Sequence, residues 1–365
     1  MKPKKEIKRE KIIDYLEKLK PEIDRTIEKY LPKKVSNKWL DFSFGKPRYI
    51  FNKKATEESL IKPIWNFLSR GGKRWRPVLF LLITEAIGGD IKKVKDFVVI
   101  PELIHNGTII IDDIEDQGEL RRGKPCLHKI FGVDIALNAG NFIYFLPLLA
   151  LVKNRKKFKP EILVRAYETY VQEMINLGFG QGTDIFWHKG RVKKITEKEY
   201  LQMCAFKTGC LSRMAAKMAV VLSGGQNELT EKLGQVAEAM GVAFQIQDDI
   251  LDITLSGSER KWFGKSFGND IKEGKRTLMI IQTLKKANIK DKKRLIELLD
   301  KHTDDLKERK EAIEIIQKYQ SLEYAQKVAR KIMTAAWLKA DRMLEPSPAK
   351  KRLKEFINYL IERKI

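Results

Sequence analysis

The chain has 365 residues, 43 % of them hydrophobic, and a formal net charge of +24. That is enough apolar material for a large buried core, which excludes a disordered tail. The three cysteines (Cys126, Cys204, Cys210) are too few, and wrongly spaced, for a disulfide framework or a zinc site.

No apolar run approaches the roughly 18–20 residues that a membrane span needs, and the opening Met-Lys-Pro-Lys lacks the apolar stretch of a secretory signal. With few thiols, this points to a cytoplasmic protein. The basic excess fits a solvated shell, an anionic membrane surface or phosphorylated small molecules. No nucleic-acid motif is present, so no nucleic-acid partner is expected. The preferred reading of the charge is a solvated basic shell, with a weak attraction of the basic ends to an anionic membrane surface as the second.

In chain order, residues 1–35 predict a charged helical extension followed by a loop. Residues 36–345 form one body, and residues 346–365 a C-terminal amphipathic helix packed on it. Apolar residues recur at three-to-four spacing nearly throughout, and no two-residue alternation between hairpin turns is seen, so the fold class is all-α. Gly71–Gly72–Lys73–Arg74–Trp75–Arg76–Pro77 is a glycine turn leading into an apolar helix. A helix start with Lys73 and Arg76 beside it suits an anion. His105 follows on the next helix, seven residues before Asp112, and can donate to that anion. Asn106–Gly107–Thr108 matches a glycosylation pattern but lies in an apolar helix, which argues against that use.

Asp112–Asp113–Ile114–Glu115–Asp116 ends this helix, with Gly118 and then Arg121–Arg122–Gly123 close behind. Carboxylates one turn apart share a face. At a helix C-terminus they repel both each other and the helix dipole. The pattern recurs as Asp248–Asp249–Ile250–Leu251–Asp252 after another apolar stretch. Two such clusters at the ends of buried helices are costly unless cations answer them. Magnesium, which takes oxygen ligands and bridges carboxylates to phosphates, resolves the conflict. Between the clusters, Gln181 and Asp184 add polar groups, and Lys207–Thr208–Gly209 interrupts an apolar helix. Lys265 and Lys275 flank a glycine-rich loop after the second cluster.

These segments, in this order over about residues 60–280, closely resemble the trans-isoprenyl diphosphate synthases, the polyprenyl synthetase family. The carrying stretches are GGKRWRP (71–77), Glu102–Leu103–Ile104–His105, DDIEDQGELRR (112–122), Lys207–Thr208, QIQDDILD (245–252) and GKSFGNDIKEGK (264–275). The resemblance implies a single-domain helical bundle around a deep central cavity, usually in a homodimer. It also implies a magnesium-dependent prenyltransferase that condenses isopentenyl diphosphate with an allylic diphosphate, with three ions when substrate is bound.

By that resemblance Asp112, Asp116 and Asp248 are magnesium ligands, supported by Asp113, Asp249 and Asp252. Arg121, Lys207, Lys265 and Lys275 grip the allylic diphosphate. Thr208 and Gln245 stand beside the developing carbocation. Lys73, Arg76, His105 and Arg122 hold isopentenyl diphosphate. Ile111 stands where many relatives carry a second histidine, and Glu115 makes the first cluster more acidic than usual.

Small Gly107 and Thr108 before the first cluster, with Ile104 farther back, predict an open path for the product tail. Phe142, Tyr144 and Phe145 would form its floor. The expected product is geranylgeranyl diphosphate, C20, with longer (C25 or more) or farnesyl products as alternatives. Gly107→Phe is expected to shorten it. Terpene cyclases share one aspartate motif, but the GGKRWRP segment implies a second diphosphate site. A basic helical binding module would leave both acidic clusters unexplained.

Overall fold

The computed structural model describes residues 12–192, 194–255 and 267–362. The architecture is all-α. The main helices are α1 (Ile12–Tyr30), α2 (Asn37–Phe44), α3 (53–68), α4 (Trp75–Ala86), α5 (Val99–Glu115) and α6 (Val133–Phe145). They continue with α7 (Pro160–His188), α8 (197–222), α9 (Asn227–Thr254), α10 (Leu278–Lys286), α11 (Ile289–Asp300), α12 (Leu306–Lys318), α13 (Ser321–Met343) and α14 (Pro348–Glu362). Among the described residues the only strands are β1 (Leu120–Arg121) and β2 (Lys124–Pro125), a minimal antiparallel hairpin. Arg122 (φ 53°) and Gly123 (φ 72°) form its turn, and two left-handed residues match strand twist. Sequence reading recognised the turn there but expected no strand pairing.

Helix α9 lies at the centre, packed most extensively on α8 and α13, while α5 packs on α6. The helices that carry the acidic clusters are greasy because they are interior. Ile100, Leu103, Ile104 and Ile110 of α5, and Met240, Ala243, Ile246 and Ile250 of α9, are buried. The predicted N-terminal helix exists as α1 and belongs to the core through Ile23, Ile27 and Tyr30. The predicted C-terminal stripe packs on the body, with Leu353, Phe356, Ile357 and Leu360 buried and Ser347 capping Lys350 N at 3.1 Å.

Two expectations change. The segment Val133–Lys157 is, by length and composition alone, apolar enough to cross a membrane. A proline-containing 3₁₀ turn (Leu146–Leu148) breaks it, and residues such as Ala139, Ile143 and Leu151 are buried inside the protein. The C-terminal basic cluster is largely engaged within the molecule. Lys350 Nζ donates to Asp341 O and Leu344 O, Arg352 pairs with Glu85, and Lys354 lies over Trp337. The basic residues 1–11 lie outside the described residues.

Candidate active site

A cavity of about 310 Å³ opens between α5, α7, α8 and α9. Asp112 faces it from the end of α5, and Asp248, Asp249 and Asp252 face it from the end of α9. The first of these helices ends there, where its last residues are acidic and a turn at Asp116–Gln117 follows.

The interrupted helix supplies the third wall. Residues Ala205–Gly209 of α8 form a π-helical turn, a bulge that aims Lys207 and Thr208 inward. Glycines permit the pinch. A Cβ at Gly180 of α7 would lie 2.2 Å from Lys207 N, and one at Gly241 of α9 would lie 2.6 Å from Gly209 Cα. Lys207 Nζ then reaches Asp184 at 2.5 Å and Asp112 at 3.0 Å. Thr208 Oγ1 donates to Gln245 Oε1 at 2.8 Å, and Gln245 Nε2 donates to Asp249 Oδ1 at 2.8 Å. Lys275 spans Asp116 (3.0 Å) and Glu273 (2.5 Å).

The charges are mutually adjusted. Burial opposes ionisation of Asp112, yet Lys207, Lys275 and Arg121 hold its carboxyl below the usual range. Burial, then the nearby Asp112 charge, pushes Asp116 up to about 7. Burial and the neighbouring Asp270 raise Asp249 well above the ordinary carboxyl value. Asp116 Oδ1 is buried without a hydrogen-bond partner. These are acceptor oxygens short of positive charge, which is the donor set a hard divalent cation takes. Among the described residues no three such groups already converge as a closed cage. Lysines stand between the carboxylates, so an ion here would draw its remaining ligands from phosphate and water.

The paired acids divide their work. Asp113 turns away from the cavity and anchors Arg121, with Oδ1 at 2.7 Å from Nε and 2.6 Å from Nη2. Asp252 accepts from Asp270 N at 3.0 Å and thereby ties down the segment after the second cluster. The two adjacent arginines part company. Arg121 stays with the acids. Arg122 donates to Gly71 O at 2.6 Å and to Asn106 Oδ1 at 3.1 Å. Arg76 and His105 line the cavity with Arg122. Burial and the charges of Arg76 and Arg122 keep the His105 imidazole neutral, so it offers one N–H. Lys73 is exposed, its Nζ 5.8 Å from the Tyr359 ring of α14, outside the enclosed part of the cavity. Lys265 lies outside the described residues.

The chain-length residues need correction. Thr108 lines the cavity; Gly107 and Ile104 do not. Gly107 is small because α5 crosses α6 there. Its Cβ would meet Gly140 O at 2.9 Å and Ile143 and Tyr144 at 3.0 Å. Gly107→Phe is therefore a packing lesion, not a clean plug. Ile104 is fully buried. Of the three proposed floor aromatics, Tyr144 lies against Gly107, whereas Phe145 is 66 % exposed on the outer face. Ile111 also points at α6, where a Cβ at Gly140 would meet its Cδ1 at 2.7 Å. Its departure from the usual histidine is thus absorbed by packing.

Several contributors went unassigned in the sequence. Asp270 and Glu273 sit in the stretch that follows the second cluster, and their place there was the available signal. Asn106, fully buried, bridges Glu102 and Arg122. Tyr200 donates to Asp249 Oδ2 at 2.7 Å, and nothing in its sequence surroundings marked it.

Residues 57–316 match the family model described as polyprenyl synthetase. The chain belongs to the polyprenyl synthetase family. Among its relatives, a short chain isoprenyl diphosphate synthase of Methanothermobacter thermautotrophicus is 34 % identical, with 84 % of this chain and 91 % of that protein aligned. A geranylgeranyl pyrophosphate synthase of Geoglobus acetivorans is 32 % identical over 85 % of this chain and 93 % of its own length. The crystal structure of geranylgeranyl pyrophosphate synthetase from Pyrococcus horikoshii superposes with a TM-score of 0.82 at 30 % identity, covering 96 % of this chain and 98 % of that one. This polyprenyl synthetase therefore shares its fold along nearly the whole length of a solved relative.

Proposed function

We propose that this polyprenyl synthetase condenses isopentenyl diphosphate with allylic diphosphates, head to tail, and releases geranylgeranyl diphosphate. One observation carries the reading: Asp112 of the first carboxylate cluster and Asp248, Asp249 and Asp252 of the second line a single cavity, with Lys207 paired to Asp112 and Lys275 to Asp116. Magnesium, held by Asp112, Asp116 and Asp248 with Asp249 and Asp252 in support, would neutralise the leaving diphosphate when bound; three ions are the proposed complement.

Arg121, oriented by Asp113, and Lys207 and Lys275 add fixed positive charge where that diphosphate departs. The Thr208 and Gln245 oxygens, hydrogen-bonded to each other on the cavity wall, would face the positive charge that develops on the allyl group. Arg76, His105 and Arg122, which line the same cavity, would hold the second diphosphate and so bring the isopentenyl double bond to the cation. Apolar walls such as Leu177, Leu211 and Phe244 exclude water, which would quench the cation to an alcohol. A starter supplied alone tests this reading. A synthase leaves it intact until isopentenyl diphosphate is added, whereas a terpene cyclase converts it to hydrocarbon.

The C20 assignment rests on relatives bearing that name and on Thr108, whose small side chain lines the cavity four residues before Asp112. Thr108→Phe is expected to shift the main product from C20 to C15 by mass spectrometry; an unchanged profile removes Thr108 from chain-length control.

A homodimer is part of the proposal. Val164, Val171, Ile175, Phe179 and Phe186 form an exposed stripe on α7, continued by Val133, Leu137 and Phe145 of α6. Apolar patches of this extent mark protein contacts. Phe179→Glu is expected to give a monomer in sedimentation, and an unchanged mass would move the interface elsewhere. A cytoplasmic location fits the three buried free thiols. Weak attachment to an anionic membrane surface rests on the N-terminal basic residues, since the C-terminal cluster is largely engaged.

A further inference from the structure

The loop that begins the GGKRWRP segment has an unusual backbone. Gly71 (φ 93°), Gly72 (φ 141°) and Arg74 (φ 51°) all have positive φ. For a residue with a Cβ, the left-handed region costs about 1 kcal/mol and persists only when neighbours enforce it. Arg74 supplies that enforcement. Its side chain is 4 % exposed. Nε donates to Asp24 Oδ1 of α1 at 2.9 Å, Nη1 to Glu102 Oε1 of α5 at 2.9 Å, and Nη2 to Leu68 O at 3.3 Å. Glu102 Oε1 also accepts from Asn106 Nδ2 at 2.9 Å. Asn106 in turn accepts from Arg122, whose other arm holds Gly71 O. The loop is thus closed into a circuit, and α1 enters that circuit through Asp24.

We propose that Asp24 is a positioning residue for the isopentenyl diphosphate site: through Arg74 it fixes the backbone that presents Arg76. The proposal rests on the reading that Arg76, with His105 and Arg122, holds isopentenyl diphosphate. Asp24 precedes residues 57–316, the span matched by the family model. Nothing about it in the sequence marked it for a role. Its geometry is specific. Other contacts hold α1 in place, including buried Ile23 and Ile27, Lys29–Asp96 at 2.6 Å and Glu22–Lys95 at 2.9 Å. Losing Asp24 leaves the helix seated but removes one of the two carboxylates that neutralise a buried arginine. The loop then gains freedom that must be given up when the diphosphate binds.

The test is steady-state kinetics, varying each substrate in turn. Asp24→Ala should raise KM for isopentenyl diphosphate about tenfold, equivalent to about 1.4 kcal/mol, with KM for the allylic substrate and kcat little changed. Asp24→Glu should recover most of the loss. Glu22→Ala breaks an ion pair on the same helix away from the loop and should leave both KM values alone. An unchanged KM in Asp24→Ala overturns the proposal, as does an equal rise in both KM values reproduced by Glu22→Ala. Arg76→Ala separates the two claims. If it raises KM for isopentenyl diphosphate while Asp24→Ala does not, only the positioning role fails. If it does not, the site assignment itself fails.

Discussion

Asp112→Ala is expected to lose at least about a thousandfold in kcat, or about 4 kcal/mol of transition-state stabilisation, while keeping its fold. Asp112 is where the opposing charges of the cavity meet. Lys207 Nζ lies 3.0 Å away, Gln181 Nε2 also donates at 3.0 Å, and Arg121 Nη2 stands 3.8 Å off. Removing this carboxylate takes away a proposed ion ligand and one of the two acids that place Lys207. The fold should survive with a lowered Tm: the low pKa of Asp112 marks its charge as stabilising, but relief of repulsion with Asp116 offsets part of the loss and Arg121 keeps Asp113. Lys207 keeps Asp184 as a partner. Thermal unfolding and kcat, measured on one preparation, check both halves. Turnover within tenfold of wild type would remove Asp112 from its role.

Gly180→Ala should damage both stability and catalysis. In an ordinary helix interior this exchange gains about 1 kcal/mol. Here the new Cβ would stand 2.2 Å from Lys207 N, 2.6 Å from Phe206 C and 2.7 Å from Lys207 Cα, all backbone atoms that cannot rotate away. Overpacking of this kind costs about 1–3 kcal/mol, so a lowered Tm is expected where helix propensity alone predicts a raised one. The catalytic effect follows from the same contact. α7 must move from the π-helical turn, carrying Asp184 away from Lys207. A displacement near 1 Å at a positioned group costs about a hundredfold in rate. An unchanged or raised Tm with normal kcat would show that the pinch is not needed to place Lys207.

The two aspartate clusters were legible because carboxylates at the ends of greasy helices contradict what stability alone would choose. The sense of Gly71–Gly72 was legible too, since only a required backbone conformation explains paired glycines before a helix. Gly107 misled. In sequence, a small residue beside a cavity and a small residue at a helix crossing look the same, and only the position of α6 decides between them. The separate duties of Asp112 and Asp113 were equally hidden. Adjacent residues on a helix point about 100° apart, and which one meets Arg121 depends on a hairpin the sequence shows only as a turn. Asp24 reaches the site from a helix that carries no motif, and Tyr200 from two turns before Lys207–Thr208 on α8, so nothing local announced either.

The central claim is chain elongation in this cavity. Its most direct test is mass spectrometry of products formed by the purified protein from isopentenyl diphosphate and C5, C10 or C15 allylic starters, with magnesium and with it chelated. The account predicts C20 diphosphate from each starter it accepts, none after chelation, and recovery when magnesium is restored. Folded protein that elongates no starter in the presence of magnesium would contradict it.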